Sequence, residues 1–122
     1  MATNYVQEGS TLDYTNSTGS DIASGDVVVV GGTLAVALVD IANGDSGTVA
    51  TDGVFTVPKV SGAVFSQGAS LTYDVSAGAF DDNQATPASG DITGAAARAQ
   101  VAGANGETTA QVKLTGAPGT VN

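Results

Sequence analysis

Residues 24–39 read SGDVVVVGGTLAVALV: four consecutive valines, Val27 to Val30, entered from Ser24-Gly25-Asp26 and left through Gly31-Gly32, with a second apolar run from Leu34 to Val39 behind them. Branched side chains fill the pleated surface of a strand and lose rotamer freedom in a helix, so both runs read as strands. The valine run has no polar alternation, which predicts burial on both of its faces. Gly31-Gly32 is the turn between the two. A phosphate-binding loop would need GxGxxG or GxxxxGK[ST] and a following helix, and neither is present.

Downstream, Asn43-Gly44-Asp45-Ser46-Gly47 is a turn cluster, and Thr48-Val49-Ala50-Thr51 and Val54-Phe55-Thr56-Val57 are expected to pair around Asp52-Gly53. Pro58 has no amide hydrogen to donate, so it closes that strand or sits at an edge. Leu71-Thr72-Tyr73-Asp74-Val75 alternates in polarity like a half-buried strand, and Ser76-Ala77-Gly78 turns the chain towards Phe80. Asp81-Asp82-Asn83 and residues 86–91 read as loops. Ile92 to Val101 and Thr108 to Thr115 form a hairpin around Asn105-Gly106, with Ala110, Val112 and Leu114 inward and Thr109, Gln111, Lys113 and Thr115 towards water. The block Ala95-Ala96-Ala97 favours helix by propensity, but Gly94, Gly103 and the surrounding period-2 pattern favour strand.

Upstream, the segment from Tyr5 to Tyr14 is extended, broken by Glu8-Gly9-Ser10 and followed by the polar run Thr15 to Asp21. The chain therefore divides into an N-terminal arm or edge strand (1–21), a β domain (22–116) and a loosely held C-terminal tail (117–122). No repeat of solenoid or propeller length occurs. The fold class is all-β.

Hydrophobic residues make up 42% of the 122, but Ala and Val dominate, with three Phe, three Tyr and no Trp, so the core is thin. Without cysteine a thin core is helped by a metal, by self-association or by docking onto a partner. Ten Asp and two Glu face only Lys59, Arg98 and Lys113, a net charge of −9 that repels phosphate backbones and anionic lipid. Neither nucleic acid nor membrane is expected as a partner. The opening Met1-Ala2-Thr3-Asn4-Tyr5 lacks the basic and apolar regions of a signal peptide, and no stretch approaches the ~18 apolar residues of a membrane span, so synthesis in a cytoplasm is expected.

The absence of His and Cys removes the commonest general base, the thiol nucleophile and the usual zinc ligands, so no enzyme is expected. Asp81 and Asp82, near Phe80 and Tyr73, are the one carboxylate pair of glycosidase type to weigh, and adjacent carboxylates on a polar loop are ordinarily a solvated turn. Asp40 to Asp45 and Asp81-Asp82-Asn83-Gln84 offer oxygen ligands for calcium without the spacing of an EF-hand loop. Asp and Asn also close turns through their own side chains, and that reading is preferred, with no metal and no cofactor expected. Arg98 and Lys113 fall on outward faces of the last strands, where they either meet an acidic partner or protect the sheet. A carbohydrate-binding β domain is a rival reading, poorly served by three tyrosines and no tryptophan.

The opening Asn4-Tyr5-Val6-Gln7-Glu8-Gly9, the block Ser24 to Val30 and the stretch Gly47 to Lys59 (GTVATDGVFTVPK) occur in an order that resembles small tailed-phage capsid decoration proteins. Gln67 to Asp74, Gly94-Ala95-Ala96 and Gln111-Val112-Lys113-Leu114 extend the similarity over nearly the whole chain. Where the usual pattern often has an aromatic beside the tyrosine, this chain has Thr72 and Asp74 around Tyr73. The resemblance implies a small compact β-barrel or β-tulip-like domain with an extended N-terminal arm, similar in role to the phage lambda head decoration protein. It further implies a homotrimer on the outside of the virion, bound to the major capsid protein at three-fold sites and reinforcing the shell against internal DNA pressure. Another virion module, of tail or spike type, is the structural alternative. The arm residues Thr3, Asn4, Tyr5, Val6, Gln7 and Glu8 are the expected capsid anchor, able to add a strand to a capsid sheet edge while Tyr5 and Val6 fill pockets.

Overall fold

The computed structural model of the chain describes residues 9–83 and 86–122. Among these there is no helix, so none is long and apolar enough to cross a membrane. The strands are β1 (Thr11–Thr15), β2 (Val27–Val30), β3 (Thr33–Ala37), β4 (Ser46–Ala50), β5 (Asp52–Pro58), β6 (Thr72–Asp74), β7 (Ala79–Asp81), β8 (Ile92–Thr93), β9 (Ala97–Ala99), β10 (Thr109–Thr115) and β11 (Thr120–Val121). They form three open antiparallel sheets, ordered β1-β4-β3-β2, β5-β10-β9 and β11-β8-β6-β7, and do not close into one barrel. The all-β expectation holds.

The hairpin β2–β3 is the hub. Val30 faces Thr33 across Gly31-Gly32, and Val27 faces Val36 at its far end. Side chains alternate across the pleat, so this one hairpin serves two cores. Val27, Val29, Leu34 and Val36 join the larger core, which is centred on the fully buried Phe80 with Leu71, Ile92, Val112 and Leu114. Val28, Val30, Ala35 and Ala37 join a smaller one with Ile22, Ile41 and Val49. The polarity-free valine run thus has the two-faced burial that its sequence predicts. The larger core gathers Phe55, Phe65, Tyr73 and Phe80, of which Tyr73 and Phe80 meet at 5.2 Å between ring centroids, tilted at 59°.

The strands on either side of Asp52-Gly53 do not form the expected pair. Only Thr51 separates β4 from β5, too little for a hairpin loop, and Thr51 is buried with its amide bonded to the Ser10 carbonyl. The chain steps there from the first sheet into the second, and β5 pairs instead with β10, from Asp52 opposite Thr115 to Pro58 opposite Thr109. The expected last hairpin is present in part. β9 pairs with β10, Ala99 opposite Val112, whereas β8 at the start of the same expected strand pairs with β6 and β11. The Ala95-Ala96-Ala97 block is not helical, and only Ala97 enters a strand. Val112 and Leu114 are fully buried, while Thr109 and Gln111 are exposed, as the alternation predicts.

Within the segment read as a loose tail, β11 pairs with β8, and Asn122 donates from both its amides to the Asp91 carbonyl. Gly119 donates to the Gly32 carbonyl at 2.8 Å, which joins the end of the chain to the tip of the β2–β3 hairpin.

Candidate functional site

The expected anchor, Thr3 to Glu8, lies outside the described residues. The base it leaves from is defined. The Ser10 carbonyl accepts from the Thr51 amide at 2.9 Å and from Thr51 Oγ1 at 3.3 Å, and β1 then runs against β4 from Thr11 opposite Ala50 to Thr15 opposite Ser46. β1 is an outer strand of its sheet, so the chain enters at an edge.

Directly after β1, Asn16 is fully buried. Its Nδ2 donates to the carbonyls of Ser20 (2.7 Å) and Ile41 (3.0 Å), and its Oδ1 accepts from the amide and hydroxyl of Thr18 (3.0 and 2.7 Å). All four hydrogen-bonding positions of the amide are used. Sequence reasoning had no signal for this, because Asn16 sits inside a run of similar polar residues.

The outward face of β5-β10-β9 carries Val54, 45% exposed, beside Thr56, Gln111, Lys113 and Arg98. Lys113 and Arg98 stand directly opposite one another, a like-charge pair across two strands. Asp52 relieves it: its Oδ1 lies 2.6 Å from Lys113 Nζ. The hydrogen bond from Lys113, and then its charge, holds the Asp52 carboxyl below the usual carboxylate range. Arg98 has no ion pair among the described residues and supplies the free positive charge of this face.

The third cation is not on the surface. Lys59 is buried, its ammonium donating to the carbonyls of Val60 (2.9 Å), Glu107 (3.3 Å) and Ser61 (3.4 Å) and lying 5.9 Å from the centre of the Phe65 ring. It pins the loop before β10 to the end of β5. Nothing beside it in the sequence points to burial, which only the three-dimensional closure of these loops explains.

The acidic loops act as turn closers. Asp40 Oδ1 accepts from the Ser24 amide, Asp21 Oδ1 from the Asn43 amide and Asn43 Oδ1 from the Gly19 amide. Asp81 Oδ1 accepts from the Asp82 amide, and Asp82 Oδ2 from the Val64 amide. Burial pushes the Asp81 carboxyl up, and the Val64 hydrogen bond pulls Asp82 down. Their shifts therefore arise from one turn. Among the described residues no group of three or more acidic side chains is gathered to hold a metal.

Charge is unevenly spread. From Gly9 to Thr51 there are five aspartates (Asp13, Asp21, Asp26, Asp40 and Asp45) and no cation, while all three cations lie beyond Thr51. The first sheet and its loops form an acidic lobe, and the second sheet presents Arg98 and Lys113.

A family model described as phage cement protein matches residues 6–114, which takes in the strands from β1 to β10 up to Leu114. No curated protein matches the chain.

Proposed function

Because the chain belongs to the phage cement protein family, we propose that it is a homotrimer seated at three-fold sites on the outer surface of a phage head, where it stabilises the shell against internal DNA pressure. The observation that carries this reading is the extent of the family match, which runs through both cores and every strand of the first two sheets but the last residue of β10. The physical features agree with it. A cement gains from many weak contacts repeated by symmetry, so modest affinity per copy suffices. A thin core rich in Ala and Val benefits from association with copies of itself.

The anchor in this reading is Thr3 to Glu8, leaving from the edge at β1. Extended backbone there adds main-chain hydrogen bonds to a capsid sheet, with Tyr5 and Val6 as pocket fillers. Ordering such a segment on contact costs entropy, which favours attachment at completed lattice sites over free capsid subunits.

The test mixes purified protein with expanded and unexpanded phage heads and measures co-sedimentation and solution mass. Attachment to expanded heads by a species of three chains is expected. A protein that is monomeric at high concentration and sediments with neither kind of head overturns the reading.

A further inference from the structure

We propose that the outer edge of β2 is a second docking edge, which takes one extended, basic strand of the shell protein as an added strand of the first sheet; this rests on the capsid-binding reading above. In the β2–β3 hairpin the residues bonded to β3 alternate with residues whose N–H and C=O point away from it. Val28 and Val30 face β3, in phase with the Asp26 carbonyl, which accepts from the Ala37 amide at 2.9 Å. Val27 and Val29 therefore turn their main-chain groups outward. Among the described residues nothing bonds to them there.

Three other sheet edges are covered or guarded. The edge of β9 is closed by Gly68, Ala69 and Leu71, that of β7 by Val60, and β5 carries Asp52 and Pro58 at its ends. β2 has no lysine, proline or covering segment along its four valines, the devices by which edge strands usually avoid pairing. A groove of about 240 Å³ runs along it instead. One wall is Tyr14, Thr18 and Ile22, from the side of the smaller core; the other is Tyr73 and Val75, from the side of the larger. A strand laid against β2 would alternate its side chains between these walls, so both of its faces meet protein.

Charge decides the occupant. Asp26 borders this groove and, with Asp21 and Asp40, the depression beside it, and no cation lies anywhere in residues 9–51. A strand with Lys or Arg near its end complements that rim. A second copy of this chain has no free basic strand to offer, because Arg98 and Lys113 sit on β9 and β10, which are already paired. The segment 1–8 carries Glu8 and neither Lys nor Arg.

The test uses heads lacking this protein and the full chain with Val29→Pro, which removes an outward N–H but no bond to β3, beside Val29→Ala, which loses the side chain and keeps the N–H. Val29→Pro is expected to weaken attachment about tenfold relative to Val29→Ala, the equivalent of one lost main-chain hydrogen bond and a blocked approach. The triple variant Asp21→Asn, Asp26→Asn, Asp40→Asn keeps the turn hydrogen bonds and is expected to attach more weakly, with a shallower salt dependence. A folded Val29→Pro protein that attaches like Val29→Ala overturns the docking edge. Wild type that fails to attach at all overturns the capsid reading itself. Should Val29→Pro not fold, hydrogen exchange on wild type decides: the Val27 and Val29 amides slow on attachment if the edge is filled, and unchanged exchange there overturns the proposal.

Discussion

The side-chain amide of Asn16 donates to the main-chain carbonyl of Ile41 at 3.0 Å, from a position with no solvent exposure. That bond joins the polar run after β1 to the loop between β3 and β4, and the Gly44 amide returns the connection by donating to the Asn16 carbonyl. Asn16→Ala takes one of two donors from the Ile41 carbonyl, which keeps the Ile22 amide, and one from the Ser20 carbonyl, and each lost hydrogen bond costs about 0.5–1.5 kcal/mol. With Thr18 also released, a loss of about 2–3 kcal/mol in urea denaturation is expected, with an unchanged denaturant slope. A loss indistinguishable from zero would show that water replaces the amide.

Gly119 passes so close to the Thr93 carbonyl and Ile92 Cγ2 that a Cβ there has no room, and a Cβ on Gly32 would lie only 2.9 Å from the Gly119 carbonyl oxygen. Gly119→Ala is expected to destabilise by about 1–3 kcal/mol, the range for overpacking. Amide exchange at Val121 and Asn122 should accelerate more than exchange in β10. Uniform acceleration throughout the chain would contradict the local unseating described here.

Lys59→Met keeps the aliphatic stem and removes three donated hydrogen bonds; the Val60 and Ser61 carbonyls keep the Ala63 and Gly106 amides, while the Glu107 carbonyl loses the ammonium. A loss of about 1–3 kcal/mol is expected by thermal or urea unfolding. Stability equal to wild type would mean that the buried ammonium contributes nothing beyond its stem.

Two aspartates predict pH dependences of opposite sign. The folded Asp52 carboxyl is held below its ordinary value by Lys113, so its contribution is present above the unfolded carboxylate pKa and is lost as pH falls through the folded one. Asp52→Asn should therefore be less stable than wild type at pH 7, with the gap closing below about pH 4 and shrinking in high salt. Asp81 is pushed up by burial, so the fold disfavours its charged form. Asp81→Asn should be the more stable protein at pH 7, by no more than about 1 kcal/mol after solvent screening, and should lose its advantage in acid. Parallel pH curves for either variant and wild type would refute the corresponding assignment.

Deletion of residues 1–8 tests the arm separately from the domain. Unfolding of the truncated chain should match wild type, because the described cores are built from residues beyond Ser10. Co-sedimentation with expanded heads should fall, and undiminished attachment would exclude the arm as an anchor.

What the sequence made legible was whatever local pattern decides. The valines of β2, the glycine turn after them and the alternation along β10 each specify their own conformation. What stayed hidden was partnership at a distance. Asp52-Gly53 has the chemistry of a hairpin turn, yet burial of Thr51 against Ser10 overrides it and sends β5 to β10. Ile92 and Ala97 belong to one expected strand but serve different sheets. Asn16 and Lys59 look like surface residues because their carbonyl partners are supplied by loops that only the finished fold brings near. The expected anchor, Thr3 to Glu8, lies outside the described residues.

The pairing of β5 with β10 has a consequence in time. β9 and β10 can meet across a short connection, but Asp52 must find Thr115 and nothing between them offers a short path, so β5 joins the second sheet only by closing a long loop. Topologies dominated by such distant pairings fold in milliseconds to seconds, while a two-residue hairpin such as β2–β3 forms in about 1–10 μs. The hairpin can therefore form early on the ribosome, and the sheet bearing Arg98 and Lys113 only after Thr115 has emerged. A nascent chain exposes the valine edge well before the rest of the domain is assembled, and refolding from denaturant should show the same lag.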